Sequence, residues 1–294
     1  MRIAAGLVFA SSLAASLLTS GAAWSQAQRT AAAPTPAAAP LPAAATPAPQ
    51  SQPPRAPCMN PEALGVGRTV EIDTTGGPGF GFEHFKDLDF LKDHEVVLTF
   101  DDGPHPPTTS KVLAALAQEC VRATFFLIGL HASEHPDMVK RIAREGHTIG
   151  HHTWSHPFMA RIPFDKAKTE IERGIAADEM ALKGASTTTP STPFFRFPYF
   201  ESTPAELDLL QSRGIVVFGA DLWASDWNEM TPEQELKLVT ERLAAAGKGI
   251  ILFHDPKART AAIMPAFLRY LRDNGFRVVH VVPAGTSQKS ADLH

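Results

Sequence analysis

Two adjacent carboxylates, Asp101 and Asp102, end an apolar run, Glu95-Val96-Val97-Leu98-Thr99-Phe100, and precede the turn pair Gly103-Pro104. Two acids at a strand mouth can be no more than a solvated turn. They can also do chemistry, and because successive residues leaving a strand point to opposite sides, the two are expected to do different jobs. A second stretch, Gly150-His151-His152-Thr153-Trp154-Ser155-His156, supplies imidazoles. His152 and His156 are four apart, so on a helical turn both reach one ion. Alone, that spacing also arises by chance on surface helices. With a carboxylate from another strand end it forms a two-histidine, one-carboxylate set, which leaves coordination positions open for water and substrate. His151 lacks a partner at that spacing and reads as a bystander.

Three further clusters hold polar groups of the same kind. Arg196 leaves the apolar run Phe194-Phe195 and needs an anion if it is buried, for which Asp101 is the natural partner; otherwise it lies on the surface. Asp221-Leu222-Trp223-Ala224-Ser225-Asp226-Trp227 combines acids with indoles that either stack on pyranose rings or simply pack. His254 ends the run Ile250-Ile251-Leu252-Phe253, where an imidazole can serve as acid or base, or can be a core histidine bonded to a carbonyl.

Elements must bring these clusters together. Strand-like runs are expected at 95–100, 123–128, 147–150, 193–197, 214–220, 249–254 and 276–282. Between them lie helical patterns beginning near Thr109 or Ser110, Ser133, Phe164, Thr203, Thr231 and residue 261. Thr203-Pro204-Ala205-Glu206 and Thr231-Pro232-Glu233-Gln234 are capping boxes with proline at the first helical position. Strands alternating with helices predict an α/β fold with a parallel sheet, a distorted, incomplete barrel of about seven strand–helix units. All five polar clusters then fall at the carboxyl ends of strands, where such folds build active sites. An enzyme is expected.

The clusters together resemble the polysaccharide deacetylase (NodB-homology) family, carbohydrate esterase family 4. Thr99-Phe100-Asp101-Asp102-Gly103 matches its TFDDG motif, His152-Thr153-Trp154-Ser155-His156 its HTxxH and Arg196-Phe197-Pro198-Tyr199 its RxPY. Asp226-Trp227 resembles the DW of its fourth motif and Leu252-Phe253-His254 the LxH of its fifth, in correct order across 95–283. The resemblance implies a divalent metal, Zn2+ first with Co2+ or Ni2+ as alternatives, and removal of N- or O-acetyl groups from sugars. It implies Asp102, His152 and His156 as metal ligands, Asp101 as general base and His254 as the acid that protonates the leaving amine. Arg196 would pair with Asp101, Asp226 would orient or tune its neighbours, and the Tyr199 backbone N–H would face the oxyanion. Tyr199, Trp223 and Trp227 are the expected substrate contacts. The expected substrate is an N-acetylated glycan, peptidoglycan- or chitin-like. The alternatives are an O-acetylated polysaccharide, a small amide, or a catalytically silent glycan-binding module. One departure stands out: Phe200, followed by Glu201, occupies the place where many members have glycine, and a bulky residue there is expected to narrow or reshape the substrate groove.

The remainder of the 294 residues reads as packaging. Met1–Ser25, with Arg2 and a small-apolar run from Ile3 to Leu18, has the pattern of a signal peptide cleaved after Ser25 or Ala27; an uncleaved anchor is the alternative. Residues 26–57 are an Ala/Pro-rich linker unable to bury a core. Residues 58–94 read as an irregular cover on a catalytic domain spanning 95–285, and 286–294 as a polar tail. A formal net charge of −4 offers no basic stripe for nucleic acid. Periplasmic or secreted location is expected, without stable membrane insertion. In an exported chain Cys58 and Cys120 can form one disulfide, or remain two thiols; with no CxxC they do not suggest structural zinc.

Overall fold

The computed structural model describes residues 58, 60–81 and 89–285. The expected leader, linker and polar tail lie outside the described residues, as do residues 82–88 of the expected cover. In chain order the elements are β1 (Arg68–Ile72), β2 (Gly79–Phe80), β3 (Glu95–Asp101), α1 (Pro106–Gln118), β4 (Thr124–Leu127), α2 (Gly129–Glu134), α3 (Pro136–Arg144) and β5 (Thr148–His151). There follow α4 (Phe164–Lys183), β6 (Phe194–Phe195), α5 (Pro204–Ser212), β7 (Val216–Phe218), β8 (Leu222–Trp223), α6 (Pro232–Ala246), β9 (Gly249–His254), α7 (Ala258–Asp273) and β10 (Arg277–Pro283).

Strand β3 is the axis of the architecture. All seven of its residues are buried, which a run of Val, Leu, Phe and Thr covered on both faces requires. Val96, Leu98 and Phe100 face one way, into a core shared with Val112, Leu113 and Leu116 of α1 and Phe267, Leu268 and Leu271 of α7. Val97 faces the other way, into the space enclosed by the strands, with Phe126, Phe194, Val216, Phe218 and Ile250. Thr99 and Asp101 share that inward face by the period of two. Helices therefore cover the outside, and the inner face rises from an apolar floor to a polar rim.

Every strand pairing is parallel. The sheet runs β8-β9-β3-β4-β5-β6-β7-β2, while β10 pairs with the start of β3 and carries β1. Among the described residues no pairing joins β2 to β8. The expected α/β class and parallel sheet hold. Register then sets the rim: Asp101 lies opposite His254 of β9 and Phe126 of β4, Leu127 lies opposite His151, and His151 lies opposite Phe195. Register thus sets Asp101 and His254 level with each other, and His152 and Arg196 reach the same rim two residues further along their own segments.

Local signals are read correctly at the two capping boxes, where both Thr203 and Thr231 accept from the backbone of the third helical residue. Elsewhere the structure differs. The segment 58–94, expected to be irregular, contributes β1, five residues paired along β10, and the short β2. The first helix begins at Pro106, a position proline favours, rather than at Thr109. The second helical region breaks into α2 and α3 at His135-Pro136 because proline cannot continue a helix. Cys58 and Cys120 form a disulfide that ties the start of the described chain to the residue pair following α1.

Candidate active site

The two carboxylates do not diverge as strand geometry predicts. Asp102 has φ 72°, a left-handed conformation that turns the chain just beyond β3. Its carboxylate swings back toward the mouth that Asp101 faces. As a result Asp101 Oδ2 lies 3.7 Å and Asp102 Oδ1 3.5 Å from the same atom, His152 Nε2. They still occupy different settings. Asp101 is almost fully buried and bound to Arg196, whereas Asp102 is a quarter exposed.

His152 and His156 do not sit on a helical turn. They belong to a loop after β5 in which Thr153 and His156 both adopt left-handed φ, 68° and 59°. Backbone bonds from Gly129 and Leu130, opening α2, to the carbonyls of Thr153 and Trp154 hold that loop from one side. From the other side α4 comes so close that a Cβ on Gly174 would fall 2.5 Å from the Thr153 carbonyl carbon. The loop still brings the rings together: Asp102 Oδ1 lies 3.3 Å from His156 Nε2, and ligand atoms of Asp102, His152 and His156 all fall within 4.8 Å of one another.

The donor set fits a cation. His152 Nδ1 donates to the Arg196 carbonyl at 2.7 Å, which leaves Nε2 as a lone pair aimed at the carboxylates. Burial, and then the neighbouring His156 charge, hold the His152 imidazole well below its usual range, so it is neutral. Burial likewise lowers His156. Asp102 Oδ1 is buried with no hydrogen-bond partner. Two lone pairs and an orphaned carboxylate oxygen facing one point need a positive charge between them. His131 Nδ1, 2.7 Å from the Asp102 carbonyl, fixes the backbone of the turn.

Arg196 is fully buried, not a surface residue. Its guanidinium donates to Asp101 Oδ1 (2.9 Å), Thr99 Oγ1 (2.7 Å) and the carbonyls of Phe218 (3.2 Å) and Gly219 (2.6 Å), over the face of Phe126. Such a planar fork locks Asp101 in one rotamer. Burial pushes the Asp101 carboxyl up to about 6, against the opposing pull of Arg196 and His254.

On the opposite flank, Asp226 accepts from the His254 backbone N–H and from His254 Nδ1, both at 2.7 Å. Burial alone would lower the His254 imidazole; the Asp226 bond and the nearby Asp102 and Asp101 charges outweigh it and lift it to about 9. His254 Nε2 points into the mouth, 3.9 Å from Asp102 Oδ2. His254 is therefore not a core histidine bonded to a carbonyl.

Aromatic residues line the rim. Tyr199, 51% exposed, stands edge-on to His156 and stacks on Phe158 with ring centres 3.9 Å apart. Trp227, 48% exposed, stands edge-on to His254. Trp223 differs: its backbone carbonyl accepts from Arg242 of α6 and its ring faces the same guanidinium, so the contacts it makes lead to α6 and not to the histidine cluster. Phe200 has φ 55° directly after Tyr199 at φ 56°, a backbone conformation natural to glycine, and its ring lies 5.8 Å from the Arg196 guanidinium.

Sequence reasoning missed several partners. Thr99 was read only as strand and motif, yet its hydroxyl accepts from Arg196. His151 is not idle: Nδ1 pairs with the buried Asp178 of α4 at 2.7 Å. Asp255 is buried behind the Gly103 turn and accepts from Thr109 of α1; burial raises its carboxyl to about 7. Thr260 and Glu235, inside α7 and α6, stand behind Asp226. Asp255 and Thr109 could have been suspected from their nearness to motif residues; Glu235 and Thr260 carry no local signal.

A parallel α/β sheet with a two-histidine, one-aspartate cluster between a paired acid and a paired base defines a class. The polysaccharide deacetylase family model matches residues 91–218. A chitooligosaccharide deacetylase of Rhizobium leguminosarum bv. trifolii is 44% identical over 164 residues, 55% of this chain and 72% of that protein. The chain belongs to the polysaccharide deacetylase family. A peptidoglycan-N-acetylglucosamine deacetylase of Bacillus cereus is 37% identical over 139 residues, 47% of this chain, and the match spans 48% of that relative's length. Among solved structures, a peptidoglycan deacetylase of Bdellovibrio bacteriovorus superposes with a TM-score of 0.66 at 34% identity, covering 75% of this chain and 60% of that one.

Proposed function

We propose that this protein is a metal-dependent hydrolase that removes acetyl groups from an N-acetylated glycan of the peptidoglycan or chitin type. The observation that carries the reading is the flanking of one metal-fitted cluster by a carboxylate and an imidazole, each fixed by a charged partner, Asp101 held by Arg196 and His254 held by Asp226. The chain's similarity to a peptidoglycan-N-acetylglucosamine deacetylase and a chitooligosaccharide deacetylase supports the glycan class.

Asp102, His152 and His156 would hold a divalent cation, Zn2+ by the nitrogen-rich donor set. When bound, such an ion supplies a Lewis acid for the acyl carbonyl and lowers the pKa of a water. Asp101, ionised and fixed by Arg196, accepts the proton of the attacking water. The Tyr199 backbone N–H donates to the oxygen that gains negative charge. His254, protonated through Asp226, gives its proton to the leaving sugar nitrogen as the C–N bond breaks, so acetate and a free amine result. Tyr199 and Trp227 offer faces and edges for the sugar rings beside the cluster. Among the described residues no helix is long and apolar enough to cross a membrane. Work on a wall or extracellular glycan, in the periplasm or outside the cell, fits the leader expected in residues 1–25.

The test is acetate release with Zn2+, Co2+ or Ni2+ from chitooligosaccharides, peptidoglycan and acetylated xylan side by side. Release from the N-acetylated substrates supports the reading. Release from xylan alone would replace it with an O-acetyl esterase, and glycan affinity with no release in any metal would replace it with a binding module.

A further inference from the structure

Behind His254 a second row of buried polar groups reaches through two helices. Thr260 Oγ1 in α7 lies 2.6 Å from Asp226 Oδ2 and 3.1 Å from Glu235 Oε1 of α6. All three residues are almost fully shielded from water. The hydroxyl has one proton and two carboxyl oxygens competing for it. Asp226 already accepts from the His254 N–H and ring, and these bonds, together with Thr260, hold its carboxyl below the usual range despite burial. It is an anion and has no proton to give. A 2.6 Å oxygen–oxygen contact to that anion needs the Thr260 proton. The 3.1 Å contact on the other side of Oγ1 is then satisfied only by a proton on Glu235.

We infer that Glu235 is a neutral carboxylic acid and that Glu235 and Thr260 are positioning residues, Glu235 donating to Thr260, Thr260 donating to Asp226, and Asp226 holding His254. The inference rests on the proposed role of His254 as the acid of the reaction. The groups facing Glu235 agree with it. Burial and the Asp226 charge push its carboxyl up to about 7, while Thr260 and Arg259 of α7 pull the other way. Arg259 places a cation beside it, with Nε 3.5 Å from Glu235 Oε2, but its Nη2 donates to the carbonyls of Asp226 and Asn228. No direct hydrogen bond joins that Nε and Oε2. The row thus fixes the rotamer of Asp226 without placing a second full charge beside it.

The conservative and disruptive variants separate positioning from bulk structure. In the metal-loaded full chain, Thr260→Val and Glu235→Leu should each lower kcat by about 10- to 100-fold, the loss expected when an orienting outer partner is removed, with KM and bound metal unchanged. Thr260→Ser and Glu235→Gln, which keep a donor at each position, should retain wild-type kcat. The infrared spectrum at neutral pH should contain a protonated-carboxyl stretch that Glu235→Gln lacks. Loss of activity in Glu235→Gln equal to that in Glu235→Leu, or an identical carboxyl region in the two spectra, would overturn the neutral-donor assignment. Unchanged kcat in Thr260→Val would overturn the positioning role. A wild-type protein that releases no acetate would instead remove the functional reading, while the infrared comparison would still decide the protonation of Glu235.

Discussion

Asp101 and Asp102, neighbours in the chain, aim their carboxylates at the same atom: His152 Nε2 lies 3.7 Å from one and 3.5 Å from the other. The left-handed φ of Asp102 makes this convergence possible. The difference between the two acids lies in their partners, a buried guanidinium for Asp101 and none for the buried Oδ1 of Asp102.

The metal set predicts a stoichiometry. His152→Ala and Asp102→Ala should each lose bound Zn2+ after dialysis, while wild type keeps one equivalent by elemental analysis. Retention of a full equivalent by either variant would contradict the ligand assignment.

The Arg196 network predicts an energetic asymmetry. Replacing Arg196 by Met leaves Asp101 buried without its cation and strips the donors from two carbonyls, so urea unfolding should report a loss of about 3–5 kcal/mol. Arg196→Lys should lie between, because one ammonium cannot reach four acceptors arranged for a planar fork.

The two tuned groups predict a bell-shaped pH profile. Asp101 works deprotonated, so activity should rise through about pH 6; His254 works protonated, so it should fall through about pH 9. Asp226 lifts His254, so Asp226→Asn should move the alkaline limb to lower pH and leave the acid limb in place. An unmoved alkaline limb would assign it to another group.

Phe200 predicts a change in substrate range. Phe200→Gly removes a side chain from a left-handed position, where a residue with a Cβ costs about 1–2 kcal/mol, and clears space beside Tyr199. The ratio of kcat/KM on long glycan chains to that on a disaccharide should rise. A constant ratio would show that Phe200 does not limit the groove.

Much of this site was legible because a parallel sheet reduces three dimensions to one rule. Polar residues that terminate apolar runs collect on one rim, and Asp101, Arg196 and His254 obey it. The loop carrying His152 and His156 was legible in composition but not in shape, since the left-handed turns at Thr153 and His156 depend on α2 and on Gly174 of α4 packing against it. Trp223 ends a two-residue strand, and the contacts it makes to Arg242 of α6 depend on how that helix packs, which its place in the sequence does not show. Glu235 and Thr260 were invisible for another reason. Each is a single polar residue in a helix, meaningful only once α6 and α7 lie side by side.

The central claim is that Asp101 acts as base and Asp102 as ligand, and Asp101→Asn tests it most directly. Asparagine keeps the shape and a hydrogen bond within the Arg196 fork but cannot take a proton. Metal content and acetate release should be measured on the same preparation. Asp101→Asn should keep one equivalent of Zn2+ with kcat reduced by about 10²–10⁴-fold, the worth of a positioned base. Loss of the metal together with activity, or full activity with the metal in place, would contradict it.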